Sequence, residues 1–481
     1  MKMRPGTQTG FLLCGKEWLE GDALEVRSPW DQGLVGRVTI ATRADARQAV
    51  HHAVASLRRL RALPRWKRRE ILEDVASALI EQKERFAKLI VAEAGKPIRL
   101  ARVEVDRAVL TFKTAAEVLS HLGGETIPLD LMEGNEGRWG LVQRFPMGPV
   151  LAITPFNFPL NLVAHKVAPA MAAGCPVILK PSSQTPFTAL ALGEVILKAG
   201  WPVEALAVLP LSTTDTAWLA EKEDSIKLVS FTGSAKVGWE LKTHSGRKRV
   251  LLELGGNAAL TVCADWPDLD EAAIRTAHAA FSNAGQSCIS VQRVYVERGV
   301  YQTFLWKVVE AAGKMASGDP SVEATEVGPL IHPREAERVE SWIKEAVKGG
   351  AKLVAGGERH GSVVKPAILT GTTQGMKLRD EEVFGPVVAI EPFDDFEDAL
   401  AEANHSRYGL QAGLLTRDAG RILTAYRELE VGTLIVGDTP SWRLDPMPFG
   451  GVKDSGLGRE GIRSAIEEMT EPRMLVMAAL G

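Results

Sequence analysis

The chain has 481 residues and a formal net charge of −3, with 45% hydrophobic and 24% charged residues. At roughly 100–200 residues per domain, this length predicts two or three domains with a large core that needs no disulfides or metals. The near-neutral charge argues against a nucleic-acid partner. No uncharged apolar stretch approaches the ~20 residues that span a bilayer, so we expect no membrane partner either.

The four cysteines, Cys14, Cys175, Cys263 and Cys288, are scattered along the chain. None stands in a CxxC or other metal-ligand spacing, so neither a metal site nor a disulfide framework is expected. The only apolar run near the start, residues 11–14, is too short for the core of a signal peptide. Together these features predict a cytoplasmic protein.

Helical periodicity comes first along the chain. One helix is predicted over residues 44–63, and a second follows Pro64 and runs to Gly95, which is expected to cap it. The densest basic run, residues 58–69, falls within these patterns and indicates a solvated helix face more than a functional patch. Between residues 123 and 148 the chain looks extended and polar, without a helical stripe.

From Val150 onward, short apolar runs alternate with helical patterns. The predicted strands are 150–154, 177–180, 206–209, 227–231, 250–254, 289–296, 352–355, 387–392, 412–416 and 432–436, and the helices between them include 160–173, 185–199 and 301–313. This alternation predicts βαβ units with parallel sheets, arranged as two α/β lobes in series that meet near residue 255. The last stretch, after Met469, is extended again, so it can pair with the segment before residue 148 or with another subunit.

Cys288 lies in the run FSNAGQSCIS (281–290), between Gly285 and a predicted strand. A cysteine at a loop-to-strand junction can present its sulfur to a cleft, and a thiolate is a strong nucleophile toward a carbonyl carbon. The commonest fate of a free cysteine, however, is that of a small buried hydrophobe. The local sequence leaves both interpretations open.

Two other polar residues lie where predicted strands end. Glu253 stands in LLELGGN (251–257), where a buried carboxyl would have the raised pKa of a general base; an exposed glutamate is the alternative. Asn157 stands between prolines in PFNFP (155–159). The side-chain amide of Asn157 can donate a hydrogen bond to an oxyanion. The alternative is an ordinary turn asparagine.

Several glycine- and serine-rich turns are candidates for binding a phosphate or ribose. FTGSAKVG (231–238) predicts a strand, a turn and a helix start, whose N–H groups bind phosphate, although it does not match GxGxxG. KPSSQTP (180–186) also ends a strand, and Lys180 can reach ribose or phosphate. EEVFGP (381–386) alone is an acidic turn, and the glycine-dense PFGGVKDSGLG (448–458) indicates tight backbone packing.

In this order and spacing, the motifs resemble those of the aldehyde dehydrogenase superfamily, from the helices near residue 44 to the C-terminal strand. The resemblance implies an α/β fold with a Rossmann-like cofactor lobe, a second α/β catalytic lobe and a small β oligomerisation arm. The implied ranges are 1–124 and 148–254 for the cofactor lobe, 255–447 for the catalytic lobe, and 125–147 and 466–481 for the arm. It also implies a small aldehyde substrate, an NAD or NADP cofactor and a homodimer or homotetramer.

The resemblance also implies a role for each motif. Cys288 would be the nucleophile, the Asn157 amide and the backbone N–H of Cys288 would hold the oxyanion, and Glu253 would activate the water that hydrolyses the thioester. Further residues would bind the cofactor: Lys180 at the adenosine ribose, Gly233 and Ser234 at the pyrophosphate, Glu382 at the nicotinamide ribose with Phe384 beside it, and Thr154, Pro155, Phe156, Ser182, Ser183 and Leu254 around them.

The chain departs from the family pattern at three places. Ser183 replaces a glutamate that, in many NAD-preferring members, would repel a 2′-phosphate, so use of NADP or of both cofactors is expected. Residues 209–215 (LPLSTTD) replace a glycine-rich segment near the adenine. Phe156 stands where tryptophan is common.

The substrate is less sharply defined. The motifs look most like the group of lactaldehyde, non-phosphorylating glyceraldehyde-3-phosphate and phosphonoacetaldehyde dehydrogenases, which act on short polar or anionic aldehydes. Arg107 and Arg443 resemble arginines that hold the anionic end of such substrates, although surface ion pairs are the alternative. Ser287 stands where strong anion binders of this group have arginine, which argues against a phosphorylated substrate. Succinate semialdehyde remains possible.

Two other functions are weighed against this one. A CoA-acylating dehydrogenase of the same fold would pass the thioester to CoA, but such enzymes usually lack the glutamate that stands here as Glu253. A catalytically silent family member would typically lack the cysteine or the glutamate, and both are present.

Overall fold

The structure, a computed structural model, describes residues 8–478. Residues 1–7 of the predicted cofactor lobe and 479–481 of the predicted arm lie outside the described residues. The helices are α1 (Arg43–Ala62), α2 (Arg65–Glu81), α3 (Lys83–Ala94), α4 (Ile98–Val118), α5 (Asn161–Ala173), α6 (Pro186–Lys198), α7 (Thr213–Lys222), α8 (Ala235–His244), α9 (Leu269–Phe281), α10 (Arg298–Lys314), α11 (Pro333–Lys348), α12 (Lys377–Asp380), α13 (Phe396–Asn404), α14 (Ala419–Glu428) and α15 (Ile462–Glu468).

The strands are β1 (Gln8–Thr9), β2 (Phe11–Leu13), β3 (Lys16–Trp18), β4 (Ala23–Arg27), β5 (Leu34–Thr39), β6 (Glu125–Pro128), β7 (Trp139–Pro146), β8 (Val150–Ile153), β9 (Val177–Lys180), β10 (Leu206–Val208), β11 (Leu228–Thr232), β12 (Arg249–Glu253), β13 (Ala258–Val262), β14 (Val291–Glu297), β15 (Lys352–Ala355), β16 (Arg359–His360), β17 (Val363–Val364), β18 (Ala367–Thr370), β19 (Val387–Phe393), β20 (Tyr408–Gly409), β21 (Gln411–Leu415), β22 (Thr433–Val436), β23 (Val452–Lys453), β24 (Gly456–Leu457) and β25 (Thr470–Met477). Within residues 8–478, no helix has both the length and the hydropathy needed to cross a membrane.

Two sheets organise the molecule. The first has eight strands in the order β24-β12-β11-β8-β9-β10-β2-β3, and its five strands from β12 to β10 are parallel. The second has seven strands in the order β15-β18-β19-β14-β13-β21-β22, all parallel except β15. The predicted α/β fold with two lobes is confirmed. The lobes are not strictly in series, because β24 returns to the first sheet and pairs with β12.

One predicted helix was wrong in extent. The pattern between Pro64 and Gly95 forms α2 and α3, which are separated at Gln82 (φ −103, ψ 18). No glycine or proline marks this break. The turn lets both helices pack on α4, and the apolar faces of all three join one core. Gly95 ends α3 with a left-handed φ of 67, as predicted.

The two extended segments pair with each other. β25 lies antiparallel to β7 over its whole length, from Thr470 opposite Pro146 to Met477 opposite Trp139, and β6 flanks β7 on the other side. Residues 466–468 end α15, and β25 starts at Thr470. The boundaries proposed for the three domains stay predictions.

Candidate active site

Cys288 lies in a strained loop between α9 and β14. The strand begins at Val291, two residues later than predicted, so Cys288 stands in a turn. Asn283, Ala284 and Gly285 all have positive φ (53, 55 and 67). A Cβ at Gly285 would lie 2.1 Å from the carbonyl oxygen of Gly385, so the loop packs directly on the EEVFGP segment. Strained backbone of this kind persists where the surroundings fix it, and it clusters at functional sites.

Most of the candidate residues surround one cavity of about 400 Å³. Its walls come from both lobes. They include the candidates Arg107, Pro155, Phe156, Asn157, Gly233, Ser234, Glu253, Leu254, Cys288, Glu382, Phe384 and Arg443. Four candidates, Thr154, Lys180, Ser182 and Ser183, lie outside this cavity, at the ends of the neighbouring strands β8 and β9 or in the turn after β9.

The turn after β12 brings the lobes together at this cavity. The backbone N–H of Gly256 donates to Oε1 of Glu382 (2.9 Å), and a Cβ at Gly256 would lie 2.1 Å from the carbonyl oxygen of Cys288. Only glycine allows so close an approach. The LELGGN motif therefore packs against both the nucleophile loop and the EEVFGP segment.

Glu253 is the last residue of β12 and is 5% exposed. Its Oε1 accepts a hydrogen bond from the backbone N–H of Glu460 (3.3 Å), and its Oε2 has no partner among the described residues. Burial and the neighbouring carboxylate of Glu460 raise the pKa of Glu253 well above its ordinary value. Burial would also raise the pKa of Glu460, but Lys166, which donates to Oε1 of Glu460 at 2.8 Å, is the main group that lowers it. The pKa values of the two carboxyl groups are thus shifted in opposite directions, upward for Glu253 and downward for Glu460.

Asn157 joins the strand end of the first lobe to the nucleophile loop. Its side-chain nitrogen donates to the carbonyl oxygen of Gln286 at 3.0 Å, and its oxygen is buried without a partner in the described structure. A primary amide has two N–H donors. The second donor is available to a ligand in the cavity that Asn157 lines.

The Cys288 thiol is held in its protonated form. Burial raises its pKa to about 12, and the nearby carboxyl groups of Glu382 and Glu253 act in the same direction. The thiol therefore has to lose its proton as the reaction begins, because the thiolate is the nucleophilic form.

Arg107 and Arg443 line the cavity, and each has acidic neighbours. Nη2 of Arg107 donates to Oδ1 of Asp445 at 2.7 Å. Nη2 of Arg443 lies 3.8 Å from Oε2 of Glu460, and its guanidinium lies 3.6 Å from the centre of the Phe449 ring. Nε of Arg443 is buried without a hydrogen-bond partner in the described part of the chain. This donor is suited to an anionic ligand.

Sequence reasoning missed four charged or polar residues of this region: His165, Lys166, Asp445 and Glu460. Asp445 is 1% exposed and binds His165 (2.8 Å) as well as Arg107. His165 and Lys166 lie in α5, a helix whose residues are all buried. Two adjacent basic residues in an otherwise apolar helix were the one signal that could have pointed to them, because buried charges are almost always paired.

The residues at the carboxyl ends of β8, β9 and β11 fit a nicotinamide dinucleotide. Oγ1 of Thr232, in the cavity wall, and Oγ1 of Thr154 are buried and lack partners in the described structure. Lys180 makes no ion pair within residues 8–478, and burial lowers its pKa. Helix α8 begins after Ser234 without a side-chain cap, so its first N–H groups can bind phosphate. Ligands of open α/β sheets bind at such carboxyl ends of the strands.

The fold and the site together define an α/β enzyme whose two lobes share a cavity with a cysteine thiol and a buried carboxyl. The aldehyde dehydrogenase family model matches residues 18–475. The chain is 43% identical to 3-sulfolactaldehyde dehydrogenase of Priestia aryabhattai, covering 98% of each chain. It superposes on aldehyde dehydrogenase 21 of Physcomitrella patens, solved with its product succinate, with a TM-score of 0.97 and 41% identity over 99% of each chain.

A third similar protein is glyceraldehyde-3-phosphate dehydrogenase GapN of Methanocaldococcus jannaschii, solved with NADP. Its TM-score is 0.91 and its identity 36%, over 95% of this chain and 99% of that one. The chain therefore belongs to the aldehyde dehydrogenase family and is an NAD(P)-dependent aldehyde dehydrogenase. The predicted resemblance to the group of lactaldehyde, non-phosphorylating glyceraldehyde-3-phosphate and phosphonoacetaldehyde dehydrogenases is confirmed.

Proposed function

We propose that this enzyme oxidises a short aldehyde with an anionic far end to the carboxylic acid, through a thioester on Cys288. The observation that carries the proposal is the single cavity lined by the Cys288 thiol, the Glu253 carboxyl, the Asn157 amide and two arginine guanidinium groups. A nucleophile, a base, an oxyanion donor and an anion-binding pair are the groups that this reaction needs.

In the first step the Cys288 thiol releases its proton to solvent water, and the sulfur adds to the aldehyde carbon. The electron pair of the C=O double bond moves to oxygen, and the resulting oxyanion accepts hydrogen bonds from the Asn157 side-chain N–H and the backbone N–H of Cys288. An oxidised nicotinamide would supply the hydride acceptor when bound. The C–H bond of the thiohemiacetal carbon then breaks with loss of hydride, and the oxyanion re-forms the C=O double bond of a thioester.

Hydrolysis then needs a base. The ionised form of Glu253 takes a proton from a water molecule, and the water oxygen adds to the thioester carbon. The carbon–sulfur bond breaks, Cys288 leaves as a thiolate and the acid is released. The buried position of Glu253 beside Cys288 favours water over CoA as the acceptor. Equal rates of NAD(P)H formation with and without CoA, and no acyl-CoA product, would support hydrolysis.

The two arginines favour an anionic substrate. The Priestia relative is named for 3-sulfolactaldehyde, and the Physcomitrella structure holds succinate. Both names describe molecules with an acidic group a few carbons from the reacting carbon. A panel of sulfolactaldehyde, succinate semialdehyde, lactaldehyde, phosphonoacetaldehyde and glyceraldehyde-3-phosphate, compared by kcat/KM, tests this preference. A preference for lactaldehyde over every anionic member would overturn it.

The cofactor preference and the assembly are also proposals. Ser183, in the turn after β9, lacks the charge that would repel a 2′-phosphate, so we expect NADP to be used alone or alongside NAD.

The outer edge of the arm, β25, carries exposed Met474, Leu475 and Val476, which suits burial in a homodimer or homotetramer. Light scattering of the purified enzyme tests the assembly. The four cysteines are all free, in keeping with a cytoplasmic location.

A further inference from the structure

A buried ion pair lies behind the loop that carries Asn157. Lys96, in the turn between α3 and α4, binds Oε2 of Glu104 on α4, and both side chains are 1% exposed. The other carboxylate oxygen, Oε1, accepts the backbone N–H groups of Leu160 (2.9 Å) and Asn161 (3.2 Å). These N–H groups begin α5, which has no side-chain cap of its own. Glu104 therefore supplies the acceptor that the helix start requires.

The same pair also contacts the loop itself. The Lys96 ammonium lies 3.7 Å from the centre of the Phe158 ring. Phe158 directly follows Asn157 and lines the cavity with it. The loop is thus held at two points: the Lys96 ammonium, in the turn before α4, contacts the ring of Phe158, and the Glu104 carboxylate, on α4, accepts the N–H of Leu160. On the cavity side, only the bond to Gln286 holds the Asn157 amide among the contacts described.

We propose that the Lys96–Glu104 pair positions the Asn157 amide for the oxyanion and so sets the rate of thiohemiacetal formation. This inference rests on the oxyanion role proposed for Asn157. Lys96 and Glu104 lie outside the cavity that contains Cys288, so they act through the loop and are positioning residues. Because buried ion pairs often contribute little to stability, we infer that the role of this pair is to fix the geometry of the loop.

The test compares the double variant Lys96→Met/Glu104→Gln, which leaves no lone buried charge, with the unmodified enzyme. Because a misplacement of about 1 Å can cost about a hundredfold in rate, we expect kcat to fall by about tenfold to a hundredfold. The dissociation constant of NADP, measured by quenching of tryptophan fluorescence, should not change, since Lys180 and the turn after β9 are untouched. If the double variant does not fold, Lys96→Gln/Glu104→Gln takes its place: this pair is also neutral, keeps a donor at position 96 and an acceptor for the N–H groups at position 104, and should show a smaller loss of the same kind.

The same substitutions in a second variant enzyme distinguish a positioning role from a general loss of activity. In an Asn157→Ala enzyme the same double substitution should lower kcat little further, because the group it positions is gone. A matched control is Glu93→Gln: Glu93 is also a buried carboxylate that caps a helix from a distance, accepting the N–H groups of Phe187 and Thr188 at the start of α6 (2.9 Å each). Its substitution should leave kcat at saturating NADP unchanged in both backgrounds.

Each remaining outcome is decisive. Unchanged kcat in Lys96→Met/Glu104→Gln, with Asn157→Ala strongly impaired, would overturn this inference and leave the proposed function standing. An equal loss in both backgrounds would mean that the pair does not act through Asn157. Full activity of Asn157→Ala would overturn the oxyanion role and this inference with it.

Discussion

The backbone nitrogen of Glu460 lies 3.3 Å from Oε1 of Glu253 and donates a hydrogen bond to it, while burial and the charge of Glu460 raise the pKa of Glu253. Glu253 must be ionised to take a proton from water. The rate of deacylation should therefore rise with pH through the raised pKa, well above the ordinary carboxyl range. Hydrolysis of the thioester after a single turnover, followed as release of the acid from about pH 5 to 9, measures this limb apart from the steps that form the thioester. A rate already at its plateau near pH 5 would contradict it.

Replacing the base separates the two halves of the reaction. Glu253→Gln removes the base but keeps the size of the side chain, so the first turnover should still form NAD(P)H while hydrolysis stalls. We expect a burst of one equivalent per active site, followed by a steady rate lower by about 10²–10⁴-fold. Rapid-mixing absorbance at 340 nm measures both phases. An undiminished steady rate would exclude Glu253 as the base.

The nucleophile can be tested against Cys263, a buried cysteine outside the cavity. Cys288→Ala should abolish aldehyde oxidation while NADP still binds, because no other group in the cavity can form the thioester. Cys263, whose thiol pKa is likewise raised by burial, to about 11, is a matched control. Cys263→Ala should retain activity, and trapping with a thiol reagent followed by mass spectrometry should label Cys288 in the active enzyme. Oxidation by Cys288→Ala would refute the mechanism.

The sequence predicted ten of the fifteen strands in the two large sheets and several of the connecting helices, because such sheets bury short apolar runs and their helices carry apolar faces. It failed at Gln82, where the break in the helix depends on packing against α4 and has no local residue signal. It predicted the site from motifs around Cys288, Glu253 and Asn157, and it missed Asp445. A single aspartate in a loop is informative only when the fold brings it to Arg107, 338 residues away in the chain.

Ser183 offers a test of cofactor choice. Ser183→Glu would place a carboxylate in the turn that is expected to face the adenosine ribose, where it would repel a 2′-phosphate and could bind the ribose hydroxyls of NAD. We expect kcat/KM with NADP to fall by at least tenfold, with NAD use retained or improved. Ser183→Gln is the control for side-chain size, and its loss of NADP use should be much smaller. Unchanged NADP kinetics in Ser183→Glu would count against the electrostatic argument.

If the two arginines bind an anion, replacing them should weaken the binding of charged aldehydes more than that of neutral ones. Because a hydrogen bond to a charged group contributes about 1.5–3 kcal/mol, Arg443→Met should raise KM for succinate semialdehyde by about tenfold to a hundredfold. Butanal, a neutral aldehyde with the same number of carbons, should be affected far less. Arg102 lies on α4 as Arg107 does, but it binds Glu84 and Glu323 at the surface, so Arg102→Met should leave both substrates unchanged. Arg107→Met should follow Arg443→Met with a smaller effect, because Asp445 already accepts two of its N–H groups. If Arg443→Met impaired the neutral and the anionic aldehyde equally, the arginine would have a structural role and the proposed substrate class would be wrong.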